Sequence, residues 1–282
     1  MAGERDFVVC PPFASRTLLA DPPPTAVLAA FGIDGDPIPM SGGEGVSFRA
    51  NDAVVKRVHD ASEAEWCQQL LSRTTQDGFR LPDPLPTAEG RWVHEGWTAS
   101  RYIAGLQPAA PEWAEIAQAG LRFADAAEQA RDDGHAVLAR RTHGWAIADR
   151  VAWGEQSVDL DAAASEVCDS ISALFSSPRA DQHLVHGDLS GNVHLDPDGV
   201  PVILDLSPYL RAREWAAAIV IADAVLWSDA DPSLAGSFAS GAAGRDLLAR
   251  ALTFRLVAEQ LANDPRHGAT LEPYRRLIRV LD

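Results

Sequence analysis

A β-hairpin signal late in the sequence constrains the fold of this chain more than any other feature. Two apolar segments, 193–195 and 200–204, flank an Asp-Pro-Asp-Gly turn at 196–199, with proline second and glycine fourth. This order is typical of a tight turn, so the flanks are predicted to pair as antiparallel strands. Cross-strand neighbours lie roughly 5–8 Å apart. Asn192 and Asp205 are therefore expected to lie opposite each other, or displaced by one or two residues, whichever turn register applies.

The side chains around the open end of this hairpin match the needs of phosphoryl transfer. Asn192 and Asp205 offer hard oxygen donors that could share one Mg²⁺. Asp188 comes four residues before Asn192, in the loop that enters the hairpin, where a carboxylate could take the proton of an incoming hydroxyl. Each residue alone would more often be a cap, a turn residue or the start of a strand. The three together indicate a kinase-type site.

The only lysine of the chain supports the same interpretation. Lys56 stands among 24 Lys and Arg residues, in an apolar segment at 54–58. A compact ammonium on a flexible stem suits a phosphate contact that the planar fork of arginine fits less well. The alternatives are a lysine left behind by coding bias, or a lysine on an edge strand. Glu63 and Glu65 on the following helix are candidate counter-charges, and Glu65 is preferred because Leu70 then faces the core.

A glycine-rich segment precedes this lysine strand. Gly42, Gly43 and Gly45 lie between two predicted strands, where backbone N–H groups could come close to phosphates. A hairpin turn that binds no ligand would have the same glycine-rich sequence, so this signal carries weight only together with its neighbours.

The periodic segments predict an α+β fold with two lobes. Residues 1–24 carry five prolines and no sustained period, which indicates a poorly structured lead-in. Residues 25–105 are predicted to form a small, mostly β nucleotide-binding lobe with one helix, whose start matches a capping box of Ser62 and Glu65. Residues 106–282 show helical spacing except at the hairpin. They are predicted to form a larger, mostly helical lobe for catalysis and acceptor binding.

Composition limits the partners of the chain. The formal net charge of −16 repels nucleic acid and anionic membranes and would attract a cationic acceptor, although an acidic surface more often only keeps a protein in solution. No apolar run is long enough to span a membrane, and the first thirty residues do not resemble a secretory signal, so a cytoplasmic location is expected. The three cysteines are widely spaced and contain no CxxC pair, which predicts neither disulfides nor a zinc site.

The motif His-Gly-Asp-Leu at 186–189, followed by an asparagine and by an aspartate after a hairpin, resembles the signature of the aminoglycoside phosphotransferase family. That family is a small-molecule branch of the protein-kinase-like fold, and the resemblance runs from about residue 39 to residue 227. It implies that Asp188 is the catalytic base. It also implies that Asn192 and Asp205 bind Mg²⁺.

The resemblance extends to the nucleotide site. It implies that Lys56, paired with Glu65, holds the α- and β-phosphates. The segment 97–102, with Ala99 and Arg101, would form the hinge where backbone groups meet the adenine. More closely, a triple proline before an Ala-Ala-Phe-Gly helix, a glycine pair and a Leu-Asp-Leu-Ser-Pro-Tyr run are similar to an actinobacterial subgroup of the family.

Two departures from the family pattern stand out. Asn192 is the fourth residue after Asp188, whereas the family has it fifth, and a shorter loop could misplace the base by an ångström at a large cost in rate. Asp205 is followed by Leu-Ser-Pro-Tyr in place of the usual aromatic-and-glycine continuation. Arg211 and Arg213 come soon after and could bind an anionic substrate group. Ion pairs with the abundant carboxylates are the favoured interpretation of both arginines.

These observations predict a phosphotransferase that moves the γ-phosphate of ATP or GTP to a hydroxyl of a small molecule. The many carboxylates in the helical lobe would suit a cationic acceptor such as an aminoglycoside, while choline, sugar, amino-alcohol and nucleoside acceptors use similar machinery. One alternative is a nucleotide-binding sensor or scaffold without turnover, motivated by the shortened loop. Another is an AMP transferase. The sequence leaves the acceptor and the oligomeric state open.

Overall fold

The computed structural model describes residues 21–40, 46–176, 181–262 and 270–282. It is a mixed α+β structure in which a small lobe, built on an antiparallel sheet, precedes a larger helical part. This confirms the predicted fold class. Most of the expected lead-in and the three glycines at 42, 43 and 45 lie outside the described residues.

The small lobe contains one five-stranded sheet with the strand order β1-β2-β3-β5-β4. All of its pairings are antiparallel. The elements of the lobe are α1 (Thr25–Ala30), β1 (Ile38–Pro39), β2 (Ser47–Ala50), β3 (Ala53–Arg57), α2 (Ala61–Arg73), β4 (Pro84–Leu85) and β5 (Trp97–Arg101).

The sheet has one apolar face and one polar face, because successive side chains of a strand point to opposite sides. Phe48 and Val55 are buried against α1 on the apolar face. Lys56 pairs with Ser47 of β2 and Thr98 of β5 and shares the opposite face with them. Since β3 is covered on both edges, the alternative of an edge-strand lysine is wrong.

Helix α2 begins two residues earlier than the capping-box pattern suggests. Its N-cap is Asp60, whose carboxylate accepts hydrogen bonds from the N–H groups of Ser62 (2.8 Å) and Glu63 (2.9 Å). Aspartate serves this role as well as serine does. The predicted capping box of Ser62 and Glu65 is therefore wrong, and the Glu65 carboxylate is used elsewhere.

The larger part is mostly helical. Its helices are α3 (Trp113–Ala127), α4 (Arg131–Leu138), α5 (Gly144–Ala152), α6 (Ala162–Ser172), α7 (Trp215–Trp227), α8 (Ser233–Phe238), α9 (Ala242–Leu261) and α10 (Glu272–Leu281). Its strands are β6 (Gln107–Pro108), β7 (His183–His186), β8 (Val193–Leu195), β9 (Pro201–Ile203) and β10 (Pro208–Arg211). Three short helices, α4, α5 and α8, and the pairing of β7 with β10 were not predicted from the sequence.

The predicted hairpin is present. Strands β8 and β9 pair in a register that places Val193 opposite Ile203, and the Leu204 N–H donates to the carbonyl of Asn192 at 2.7 Å. Asn192 thus faces the residue before Asp205, a displacement of one, as the turn chemistry predicted.

Two helices, α7 and α9, form the centre of the large core. Every residue of α7 except the final Trp227 is buried, and α9 is buried over most of its length. Among the described residues, no helix combines the length and apolar character needed to cross a membrane.

Candidate active site

The loop that enters the hairpin is held in shape by His186, at the end of β7. Its Nδ1 accepts the backbone N–H of Asp188 at 3.0 Å, and its Nε2 lies 3.2 Å from the carbonyl of Leu204. Burial lowers the pKa of His186, against the opposing effect of Asp188. The ring is therefore neutral with its proton on Nε2, and it ties the loop to the strand that leads into Asp205.

Asp188 and Asn192 are in direct contact across the shortened loop. Asn192 Nδ2 lies 2.7 Å from the carbonyl of Asp188 and 3.1 Å from its Oδ2. The backbone makes a helical turn here, since the Asn192 N–H donates to Leu189 at 2.9 Å. The turn brings the amide back to the carboxylate, so the missing residue does not separate the two side chains.

A buried arginine holds the other oxygen of Asp188. Arg255 of α9 donates from Nη2 to Asp188 Oδ1 at 3.0 Å. Its Nε and Nη2 also bind the two carboxylate oxygens of Asp223 on α7, at 2.7 and 2.6 Å. The Oγ of Ser190 donates to Asp223 Oδ2 at 2.7 Å. No role was predicted for Arg255 or Ser190 from the sequence, and Asp223 was not distinguished from the many other carboxylates of the helical lobe.

One signal in the sequence could have found Asp223. It is the only charged residue in the otherwise apolar run 215–227. A carboxylate on a helix that is buried on all sides needs a charged or hydrogen-bonded partner, and such a partner is found here in Arg255.

Lys56 and Asp205 meet across the two lobes. Lys56 Nζ lies 2.7 Å from Asp205 Oδ1, with 36% and 40% of the two side chains exposed. Burial acts to raise the pKa of Asp205, but the opposing effects, of which the Lys56 ammonium is the largest, lower the pKa below its ordinary value. The backbone of Asp205 adopts φ +46°, in the left-handed region.

The predicted pair of Lys56 with Glu65 is not formed. The Glu65 carboxylate accepts hydrogen bonds from the backbone N–H groups of Trp92 and Val93, at 2.8 to 3.2 Å. The alternative partner, Glu63, forms an ion pair with Arg141. Both glutamates bond to neighbouring segments, and Lys56 instead forms its ion pair with Asp205 of the large lobe.

The donor atoms at the open end of the hairpin fit a hard divalent cation. With Nδ2 of Asn192 directed at Asp188, its Oδ1 is the atom left for a metal, beside a carboxylate at Asp205 that is ionised at neutral pH. Oxygen donors of this kind are those that Mg²⁺ prefers, with water and phosphate oxygens completing the shell.

Solved structures of similar shape were found, although no protein-family model and no curated protein sequence matches the chain. A thermostable mutant of aminoglycoside phosphotransferase APH(4)-Ia, in complex with ADP and hygromycin B, aligns at a TM-score of 0.58 and 16% identity, covering 90% of this chain and 97% of that one. Spectinomycin phosphotransferase APH(9)-Ia, with ADP and spectinomycin, aligns at 0.52 and 14%, covering 91% and 93%. Choline kinase LicA from Streptococcus pneumoniae aligns at 0.51 and 12%, covering 90% and 95%.

This chain has the protein-kinase-like fold. The small lobe of this fold consists of β1 to β5 and α2. The hairpin of β8 and β9 belongs to the large lobe and lies on the side that faces the small lobe. The pair of Lys56 and Asp205 is a direct contact between the two.

A cavity of about 660 Å³ opens beside the small lobe of the kinase-like fold. Arg49 pairs with Val54, two residues before Lys56, so all three side chains lie on the same face of the sheet. Arg49 stacks on the ring of Tyr102 at 3.8 Å in this cavity. The cavity is lined by Asp36, Ile38, Pro39, Met40, Arg49, Asn51 and Tyr102.

The predicted hinge residues lie further inside the small lobe than expected. Ala99 is buried, and its neighbours are Val55 of β3 on one side and Leu85 of β4 on the other. Because strands cover both its edges, Ala99 does not form a hinge. Arg101 ends the strand, and its side chain forms an ion pair with Asp52.

Arg211 and Arg213 form ion pairs with carboxylates of the large lobe, as favoured from the sequence. Arg211 is buried and binds both oxygens of Asp149 (2.8 and 2.7 Å) as well as Glu155 (2.7 and 2.9 Å). Arg213 makes a two-point contact with Asp125 at 2.5 Å.

Proposed function

We propose that this chain is a phosphotransferase that moves the γ-phosphate of ATP to a hydroxyl of a small molecule. One observation carries the proposal. A carboxylate held at both oxygens, Asp188, stands at the mouth of a hairpin that presents Asn192 and Asp205, and the only lysine reaches Asp205 from the opposite lobe. These are the groups that kinase-type transfer needs.

Asp188 is proposed as the base that orients the acceptor hydroxyl and receives its proton. Its side chain is 39% exposed, although both oxygens are hydrogen-bonded, so a substrate can approach it. A carboxylate with a fixed direction holds the hydroxyl in line with the phosphate, and positioning of this kind supplies much of the rate acceleration.

Lys56 is proposed to bind the phosphates of the nucleotide. Its ammonium lies on the face of the sheet that also borders the 660 Å³ cavity, and it is partly exposed. We assign the nucleotide base to this cavity, with backbone contacts from the segment that follows Arg101. Mg²⁺, when bound, would be held by Asp205 and Asn192 and would neutralise charge on the phosphate oxygens.

The ligands bound in the similar solved structures and the net charge of this chain support the choice of donor and acceptor. The APH(4)-Ia and APH(9)-Ia structures contain ADP, and their second ligands are hygromycin B and spectinomycin. The net charge of −16 favours a cationic hydroxylated acceptor. The contact between Asp188 and Asn192 supports turnover over a protein that only binds nucleotide, because the shortened loop still holds the two groups together.

Nucleotide binding is tested by thermal unfolding with Mg²⁺ and ATP, GTP or their non-hydrolysable analogues. A ligand that binds only the folded state at 100 times its Kd adds about 2.7 kcal/mol, which a melting curve resolves. A Mg²⁺-dependent shift with ATP is expected. No shift with any nucleotide, in the wild type and in Lys56→Ala alike, would count against the proposal.

Turnover is tested by nucleoside diphosphate release with a panel of hydroxylated amines and sugars. Asp188→Ala is expected to abolish release and to leave ATP affinity nearly intact, whereas Asp169→Asn, an exposed carboxylate of α6, should behave as the wild type. Asp205→Ala should weaken the Mg²⁺-dependent part of the affinity. A product that carries AMP would assign the chain to the AMP transferases instead.

A further inference from the structure

Arg255 is anchored more firmly than a surface ion pair requires. Its side chain is fully buried, and Nε and Nη2 bind the two oxygens of Asp223 at 2.7 and 2.6 Å. Three aromatic rings surround the guanidinium at 5.2 to 5.3 Å, those of Trp145, Trp227 and Phe254. Aromatic faces stabilise a desolvated cation, and the arginine has little freedom to move.

Asp223 already balances the charge of Arg255, so the contact with Asp188 is additional. A single guanidinium, through the same Nη2, serves two carboxylates that lie on different parts of the chain. Asp188 is 39% exposed and could be solvated by water alone. The extra hydrogen bond therefore restricts the direction of its carboxylate, whose other oxygen is held by Asn192.

The same pair of helices also holds the loop two residues further on. Ser190 donates to Asp223 at 2.7 Å, which bonds the loop to α7. Arg255 bonds the same loop to α9 through Asp188. Asp188 is thus fixed relative to the large core, not only relative to its own loop.

We propose that Arg255, anchored by Asp223, is a positioning residue that sets the direction of the Asp188 carboxylate for phosphoryl transfer. This inference rests on the proposed function of Asp188 as the base. Arginine suits this role because Nε and Nη2 donate from two separate positions of one rigid plane. A lysine ammonium has three donors, but all lie on one nitrogen at the end of a flexible stem, so it would not hold both carboxylates in the same directions.

The test compares Arg255→Lys with a matched control, Arg250→Lys. Arg250 lies on the same helix α9, is also buried, binds both oxygens of Asp246 at 2.7 and 3.2 Å, and packs on Trp153 and Phe175. Both variants lose the fork of a buried arginine. Only Arg255→Lys is expected to change the reaction.

We expect kcat to fall about 10- to 100-fold in Arg255→Lys, the cost of a small misplacement of a catalytic group, with the KM for ATP unchanged. Amide hydrogen exchange of residues 186–192 should become faster in this variant and stay at the wild-type rate in Arg250→Lys. Unchanged kcat and unchanged loop exchange in a folded Arg255→Lys protein would overturn the proposal.

A second variant keeps the proposal testable if Arg255→Lys does not fold. Ser190→Ala removes only the hydroxyl that joins the loop to Asp223. As in Arg255→Lys, amide exchange of the loop should become faster and kcat should fall. Unchanged values of both would overturn the proposal. The wild type could transfer phosphate to no acceptor while amide exchange of the loop still rises in Arg255→Lys. In that case the proposed function fails, but Arg255 still positions Asp188.

Discussion

Asp205 adopts a backbone conformation, φ +46°, that residues with a side chain rarely take. Conformations of this kind cost of order 1–3 kcal/mol and persist where the surroundings enforce them, often at functional sites. Here the surroundings are the hydrogen bond of the preceding Leu204 carbonyl with His186 and the ion pair of the side chain with Lys56. In this conformation the carboxylate meets Lys56 of the small lobe, where the proposed phosphate site lies.

Replacing Lys56 by arginine tests whether the single lysine is a requirement of the site. Lys56→Arg keeps the charge but replaces a compact ammonium by a planar fork. We expect ATP affinity to fall about tenfold or more, the cost of one charged hydrogen bond, while thermal stability without nucleotide stays the same. Isothermal titration with Mg²⁺ and a non-hydrolysable ATP analogue measures this, and equal affinities would show that any cation serves.

Gly187, the central residue of the motif at 186–188, is required by space and not by backbone freedom. A Cβ at this position would come closer than 3.0 Å to two ring carbons of Tyr209. Tyr209 is buried against Trp215 and Phe254 and has no room to retreat.

Gly187→Ala is therefore expected to lower the free energy of unfolding by about 1–3 kcal/mol, the usual cost of overpacking, and to lower kcat through the displaced Asp188. Urea denaturation gives the first quantity. Gly144→Ala is the control, because its Cβ would meet only Leu261 at an ordinary 3.5 Å. Equal stabilities for the two variants would contradict the steric argument.

Three carboxylates at the start of helix α2 make different interactions. Asp60 caps its first turn, Glu63 forms an ion pair with Arg141, and Glu65 accepts the backbone N–H groups of Trp92 and Val93. The cap lies within the helix itself, while Glu63 and Glu65 bond α2 to two neighbouring segments. None of these contacts involves Lys56.

The cap predicts a difference between two neighbouring substitutions. Asp60→Ala should cost about 1 kcal/mol of unfolding free energy, because two N–H groups of the first turn lose their acceptor. Ser62→Ala should change stability by no more than about 0.5 kcal/mol, as exposed positions usually do. Chemical denaturation of both variants decides between Asp60 and the capping box, and a larger loss in Ser62→Ala would restore the capping box.

At the scale of the whole molecule, the core of the large lobe contains an acid with an unusual pKa. Glu259 of α9 accepts the indole N–H of Trp227 at 3.0 Å and lies beside Tyr274 of α10. Burial raises its pKa to about 7, against the opposing effects of these hydrogen bonds and of Arg255, while Asp223 adds to the rise. Three helices, α7, α9 and α10, therefore meet around a group that titrates near neutral pH.

This pKa predicts that part of the stability depends on pH. Because the folded-state pKa lies above the ordinary value of 4.5, the contribution is fully present below pH 4.5 and is lost as the pH rises through 7. The loss amounts to about 3 kcal/mol. In Glu259→Gln it should be absent, so the variant should be the more stable protein at pH 8.

Urea unfolding at pH 5 and pH 8 measures the effect as a difference between wild type and variant. Glu272→Gln is the control: Glu272 is exposed, and its pKa is lowered by Arg279, so its titration falls below this window. The same pH dependence in wild type and Glu259→Gln would show that the folded-state pKa of Glu259 is not raised.

The sequence by itself determined the parts of this protein that rest on local chemistry. The Asp-Pro-Asp-Gly turn specifies its hairpin within a few residues, and so places Asn192 beside Asp205. The alternation along β2 and β3 places Lys56 on the polar face of the sheet. These features need no information from distant residues, which is why the fold class could be predicted and why Asn192, Asp205 and Lys56 could be chosen as candidates.

The tertiary structure decided which charges meet. The chain has 40 acidic residues, and no local pattern selects Asp205 over Glu65 as the partner of Lys56, 149 positions away. Arg255 reaches Asp188 over 67 positions, and only the packing of α9 against α7 shows that Asp223 lies between them. Ion pairs between distant segments follow from the packing of helices and lobes, because a charged side chain binds whichever opposite charge the folded backbone brings within a few ångströms.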